Sequence, residues 1–134
     1  MAHLKAHCIL FFLFSLLFMQ SCNVSDERNN LSGGWEFVSE SKHDKVIDGG
    51  KKHIPCEVIA YGFNDEFILA AQKPTEDCFL GKDTIEYKAG RNSTYFWIIA
   101  HKQNLFLGPL TETEFKVAKE KYKVPVDLKL NPIE

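Results

Sequence analysis

Four cysteines, five histidines and a few adjacent carboxylates are the residues of this 134-residue chain whose chemistry reaches beyond packing. Cys56 and Cys78 can form a disulfide in an oxidising compartment, worth about 3 kcal/mol in the chain-entropy model. They can equally remain two buried thiols on separate strands, a choice that their Cα separation decides. The spacing His53-x-x-Cys56 suits a metal, and His101 and Cys78 complete a conceivable ligand set. Those two are isolated in the sequence, unlike the ligands of a paired CxxC pattern, so no metal is expected. Cys56 with His53 or His101 offers a thiol and a base by composition alone. Ser93 lies in the turn Gly90-Arg91-Asn92-Ser93, which lacks a nucleophile elbow. No catalytic residue, and hence no enzyme, is expected. Asp65-Glu66 and Glu76-Asp77 fall at turns, where solvation accounts for paired acids. Gly33-Gly34 and Gly49-Gly50 do not join a strand to a helix, so they make no phosphate cradle and no cofactor is implied.

The segment before Cys22 sets the compartment. After His3, Lys5 and His7 comes an apolar run from Ile9 to Met19, which as a helix would span about 16 Å, half of a hydrocarbon core near 30 Å. That is short for a membrane span and suits an export signal. The run ends at Gln20-Ser21-Cys22, which resembles the lipobox of bacterial lipoproteins. The resemblance implies cleavage before Cys22, a diacylglyceryl thioether on its sulfur and acylation of its new amino group. Without lipidation, the same residues read as an ordinary signal cut near Ser21. Three acyl chains would hold the protein to a membrane without a transmembrane helix. Asp26 and Glu27 resemble the acidic export signal of some surface lipoproteins, which points to the outer membrane. Asp83-Thr84-Ile85 resembles an O-glycosylation sequon of bacterial envelope proteins.

These residues must be carried by the remaining chain, which divides into a signal at 1–21, a lipidated cysteine and polar tether at 22–32, and a single domain at 33–134. Lys5 is the only charged residue before Cys22, so the rest holds 15 basic and 18 acidic side chains, a net of −3. That balance argues against nucleic acid, whose phosphates need a basic footprint. Strands are expected at Trp35–Ser39, Ile54–Tyr61, Glu66–Gln72, Asp83–Lys88, Thr94–His101 and Leu105–Leu107, rich in β-branched and aromatic residues between Gly, Asn, Asp and Lys clusters. Gly62-Phe63-Asn64-Asp65 and Lys102-Gln103-Asn104 suit hairpin turns. Both parities of Thr94–His101 are apolar, which predicts a central strand with its second face covered by a helix or loop. Thr111 and Glu114 form a capping-box pattern, with Leu110 placed to staple onto Phe115. Phe115, Ala118 and Tyr122 then make a narrow apolar face. Lys116, Lys119, Lys121 and Lys123 gather towards the helix C-terminus, where they complement the dipole and form either a solvated face or one that meets anionic headgroups. The expected fold class is α+β, a small antiparallel sheet of about five strands in a hairpin meander, packed by one C-terminal helix.

Ile54-Pro55, Val58, Tyr61, Asp65, Phe67-Ile68, Ala70, Gln72, Tyr95, Trp97-Ile98-Ile99, Gly108-Pro109-Leu110 and Phe115 together resemble a family of small bacterial lipoproteins known only as a domain of unknown function. The resemblance covers roughly positions 33 to 123 and implies an envelope protein without supplying an activity. The expected role is a non-enzymatic module, anchored to the membrane through its N-terminal lipid, that binds or inhibits an envelope protein in the manner of an immunity protein. Trp35, Tyr87 and Tyr95 are the aromatics expected to be exposed for that purpose. The alternative is a thiol-dependent envelope enzyme or redox protein using Cys56 and Cys78.

Overall fold

Short apolar runs broken by glycine and asparagine turns fold into two antiparallel sheets in the computed structural model, which describes residues 26–76, 78 and 84–134. The first sheet is a four-stranded meander, β1 (Glu27–Asn30), β2 (Glu36–Ser39), β3 (Lys45–Asp48) and β4 (His53–Ile54). The second has the order β8-β7-β6-β5-β9, from β5 (Val58–Phe63), β6 (Phe67–Gln72), β7 (Tyr95–Ala100), β8 (Leu105–Leu110) and β9 (Asn131–Pro132). The helix α1 (Glu112–Lys121) covers the outer face of this second sheet. The antiparallel α+β class is therefore as expected, with two sheets in place of one.

Period-two side-chain alternation sorts the apolar residues into layers. Phe37 and Ile47 face the second sheet and meet Ile54, Val58, Ile68, Ala70, Trp97 and Ile99 in a shared core. Their neighbours Val38 and Val46 point the other way, where Cys56 and Cys78 cover them. The opposite parity of the second sheet, Phe67, Leu69, Ile98 and Ala100, packs against Phe115, Ala118 and Val124. Both faces of β6 and β7 are consequently buried, and the double apolar face expected of 94–101 finds its helical cover in a Phe96–Phe115 ring stack at 4.8 Å.

The helix begins as its sequence dictates. The backbone N–H of Glu114 donates to the Thr111 hydroxyl, and the Glu114 carboxylate accepts from the Thr111 N–H at 2.9 Å, closing the capping box. The turn after β7 is a short 3-10 segment at His101–Gln103, ended by Asn104 in the left-handed region.

Three expectations need correction. Glu27–Asn30, placed in the flexible tether, pair with β2 from Glu27↔Ser39 to Asn30↔Glu36, so strand pairing begins before the expected boundary at 33. Leu31 supplies the missing cause, because it packs on the shared core while Ser32-Gly33-Gly34 turn the chain back. Ile54–Tyr61 is not one strand: Pro55 and Cys56 break it, leaving β4 in one sheet and β5 in the other. Residues 84–88, the described part of the expected strand Asp83–Lys88, form no strand. β3 and β9 were not expected: Lys45–Asp48 holds two apolar residues between charged ones, without the flanking aromatic of β2, and Asn131–Pro132 is two residues long.

Candidate functional site

The chemistry-bearing residues do not converge on one point. Cys56 and Cys78 are bonded to each other, their Cα atoms 5.6 Å apart across a sequence separation of 22. Cys56 is buried, and the bridge ties the exit of β6 to the segment before β5 while capping Val38 and Val46. Asp44 lies close enough to the two sulfurs to suggest a metal trio, but a disulfide sulfur is no thiolate and the trio cannot ligate as one. His53 and His101 join no such cluster among the described residues. The His101 ring lies against Gly33, where a Cβ would overlap it. Ser93 donates to the Ala89 carbonyl at 3.0 Å and closes a turn. Gly49 and Gly50 form the β3–β4 turn, with the Gly50 N–H donating to the Asp48 carboxylate at 2.9 Å. Cys22 lies outside the described residues, as does Asp83.

The aromatics expected at the surface are used internally. Tyr95 is buried, its hydroxyl accepting from the Ala89 N–H and donating to the Gly90 carbonyl, both at 2.8 Å. The Tyr87 hydroxyl accepts from the Gln72 amide at 3.1 Å, and the Gln72 carbonyl in turn accepts from the Trp97 indole N–H at 2.8 Å. Gln72 is the one fully buried polar side chain among the described residues, and both of its ends are satisfied. Trp35 stacks on Phe106, which also touches Trp97 at 5.3 Å. These contacts pin the 84–94 segment and the β8 edge to the core.

The groove with the best means of recognition lies elsewhere, along the margin where β1 overlies β5 and β9. It encloses about 480 Å³ and is floored by Phe37, Tyr61 and Ile133, with Phe63 and Pro132 at its side and Glu27 and Glu134 on its rim. Tyr61 stacks on Phe37 at 4.8 Å, and its hydroxyl accepts from the Asn29 side chain at 3.4 Å, which fixes β1 over the groove. Phe63 is 44% exposed and is the most exposed aromatic of the described residues. Gly62 is part of the reason that the groove exists. A side chain there would collide with the Lys129 carbonyl, so only glycine lets the C-terminal arm lie close enough for β9 to pair with β5. The sequence suggested Gly62 as a turn residue; the turn itself is held by the Asn64 side chain, which accepts from the Glu66 and Phe67 N–H groups at 2.8 Å.

A family model described as "Protein of unknown function (DUF3997)" matches residues 32–134. The chain belongs to this DUF3997 family. No curated protein and no solved structure matches it. The DUF3997 match covers β2 to β9 with α1 and does not reach Cys22. Residues that carried the resemblance in the sequence, Gln72, Tyr95, Trp97 and Gly108, are those that close the core: Gly108 lies against the Trp97 ring, where no side chain would fit. Among the described residues no helix is long and apolar enough to cross a membrane.

Proposed function

We propose that this DUF3997 protein is an envelope lipoprotein, exported by residues 1–21 and anchored through Cys22. Its folded part works without catalysis, as a protein-binding or inhibitor-like module. The observation that carries this reading is the groove beside β1, which joins an apolar floor, an exposed Phe63 and the outer edges of β1 and β9. An extended segment of a partner can add to a strand edge while its side chains fill such a groove. Only four residues separate Cys22 from Glu27, so an anchor there would hold the groove near the membrane. The outer membrane is the proposed site, on the acidic residues that follow the lipidated cysteine. A net of −3 beyond the signal favours a protein over nucleic acid as partner. The alternative of a thiol-dependent enzyme is weakened because both sulfurs are consumed in the bridge, whereas a redox protein would hold the same bridge in its oxidised form.

A photo-crosslinking side chain at Phe63, compared with one at exposed Gln103, tests the binding reading in intact envelopes. A discrete protein adduct from position 63 alone is expected. Equal labelling from both positions, or none, would remove the groove as a binding site. Mass spectrometry of the mature N-terminus tests the anchor: a triacylated Cys22 is expected, and an unmodified Cys22 would sink that part of the proposal.

A further inference from the structure

The lysines of α1 gather towards the end of the helix away from its capping box, and the structure adds what the sequence did not show, exposed apolar groups among them. A shallow groove of about 490 Å³ is lined by Lys116, Lys119, Lys123, Glu120 and the turn Val124-Pro125-Val126. Val126 is 97% exposed and Val117, on the adjoining helix surface, 61%; with Phe63 they are the large apolar side chains most open to water among the described residues. Three lysines face a single glutamate here, in a domain whose overall charge is negative. Lys116 is shared with Glu112 at 3.0 Å and Lys119 lies over the Phe115 ring at 4.8 Å, while Lys123 has no ion-pair partner among the described residues.

We propose that this face is a second membrane contact, in which Lys116, Lys119 and Lys123 meet anionic phospholipid headgroups and Val126 enters the interface. The inference rests on the anchored reading above. Charge complementarity selects the occupant: a cationic groove edged by valine suits a phosphate-bearing surface with an apolar layer beneath it. Each lysine near an anionic surface strengthens partitioning roughly fivefold, so three give about a hundredfold, too little to hold a free protein but enough to orient an anchored one. Chain length permits both contacts together. Val126 precedes Asn131 by five residues, Asn131 and Glu27 line one groove, and the five Cα-to-Cα steps from Glu27 back to Cys22 reach at most about 17 Å.

The test uses the mature lipidated protein carrying Val126→Cys with an environment-sensitive fluorophore, reconstituted on phosphatidylcholine vesicles with or without phosphatidylglycerol. Flotation with neutral vesicles reports the anchor alone. A blue shift confined to anionic vesicles, reversed by high salt and lost in Lys116→Gln/Lys119→Gln/Lys123→Gln, is the expected result. Equal emission on both vesicles, or a shift that survives the triple substitution, would overturn the proposal. So would a shift on neutral vesicles that requires added envelope proteins, since the face would then belong to a protein partner. Failure to float on neutral vesicles would instead count against the anchor. Circular dichroism of the triple variant, expected to be unchanged because all three side chains are at the surface, separates loss of contact from loss of fold.

Discussion

At the scale of single residues, Gln72 and the cysteine pair carry the sharpest consequences. Gln72 is enclosed with its carbonyl accepting from Trp97 and its amide donating to Tyr87. Removing it strands a buried indole N–H, at a cost of about 1–3 kcal/mol. Gln72→Met is therefore expected to lower stability by that amount in urea titration, and combining it with Trp97→Phe, itself destabilising because the indole fills the core, should cost less than the sum of the two single changes, because no indole donor is then left unpaired. Strict additivity of the two changes would show that the hydrogen bond has no energetic role. The disulfide predicts a second number. Reduction, or Cys56→Ala with Cys78→Ala, should cost about 3 kcal/mol, and a thiol assay on the native oxidised protein should find neither sulfur free. Neither residue's role was legible in isolation. A glutamine in an apolar strand and two distant cysteines acquire partners only when β6 and β7 lie side by side and the chain crosses back over the first sheet.

At the scale of elements, α1 was the most readable part of the chain, because a capping box is a local arrangement of four residues. Thr111→Ala is expected to cost about 1 kcal/mol, read as a lowered midpoint in thermal unfolding. The same helix start carries a long-range contact that no local pattern announced. Lys88 donates to the Glu114 carboxylate at 2.7 Å, joining the 84–94 segment to the helix. That hydrogen bond, with a second from the Thr111 N–H, holds the Glu114 carboxyl below the usual carboxylate range, and the bond to Glu114 raises Lys88 above the usual lysine value. The signs differ accordingly. The Glu114 contribution is complete above the carboxylate's unfolded value and fades as pH falls through its lowered folded one. The Lys88 contribution is complete below its unfolded value and fades as pH rises through its raised folded one. Both groups face water, so the effect on stability is small and the titration itself is the better readout. In Lys88→Met the Glu114 carboxyl resonance should titrate at higher pH; an unchanged midpoint would remove the contact.

At the scale of the whole molecule, the layers depend on β1 being a strand and not a tether. Its side chains are all exposed, and its hold comes from pairing with β2, from Leu31 in the core and from Asn29 on Tyr61. Such an edge should open more easily than the centre of the sheet. Hydrogen exchange is expected to find the paired amides of 27–30 protected, yet faster than those of β6, whose residues are all buried. Random-coil exchange over 27–30 would return those residues to the tether and leave the groove beside Tyr61 with one wall. Gly62→Val is the matching test from the other side: it should displace the C-terminal arm, unpair β9 and lower stability, because the Lys129 carbonyl occupies the space that a side chain needs.

The amino-acid sequence determined by itself the central strand at 94–101, the capped helix, the antiparallel α+β class and the membership signalled by Gln72, Trp97 and Gly108. Each of these rests on local periodicity, on a cap four residues long or on residue types that stand out along the chain. The tertiary structure alone decided that the sheets are two, that Cys56 and Cys78 are bonded, that Tyr95 and Tyr87 serve the interior, and that β1, β5 and β9 enclose a groove. Those features come from segments far apart in the chain: β4 and β9 are two residues each, and β1 and β3 are polar or edged with charge, so that neither pair announces itself until a neighbour supplies its hydrogen bonds.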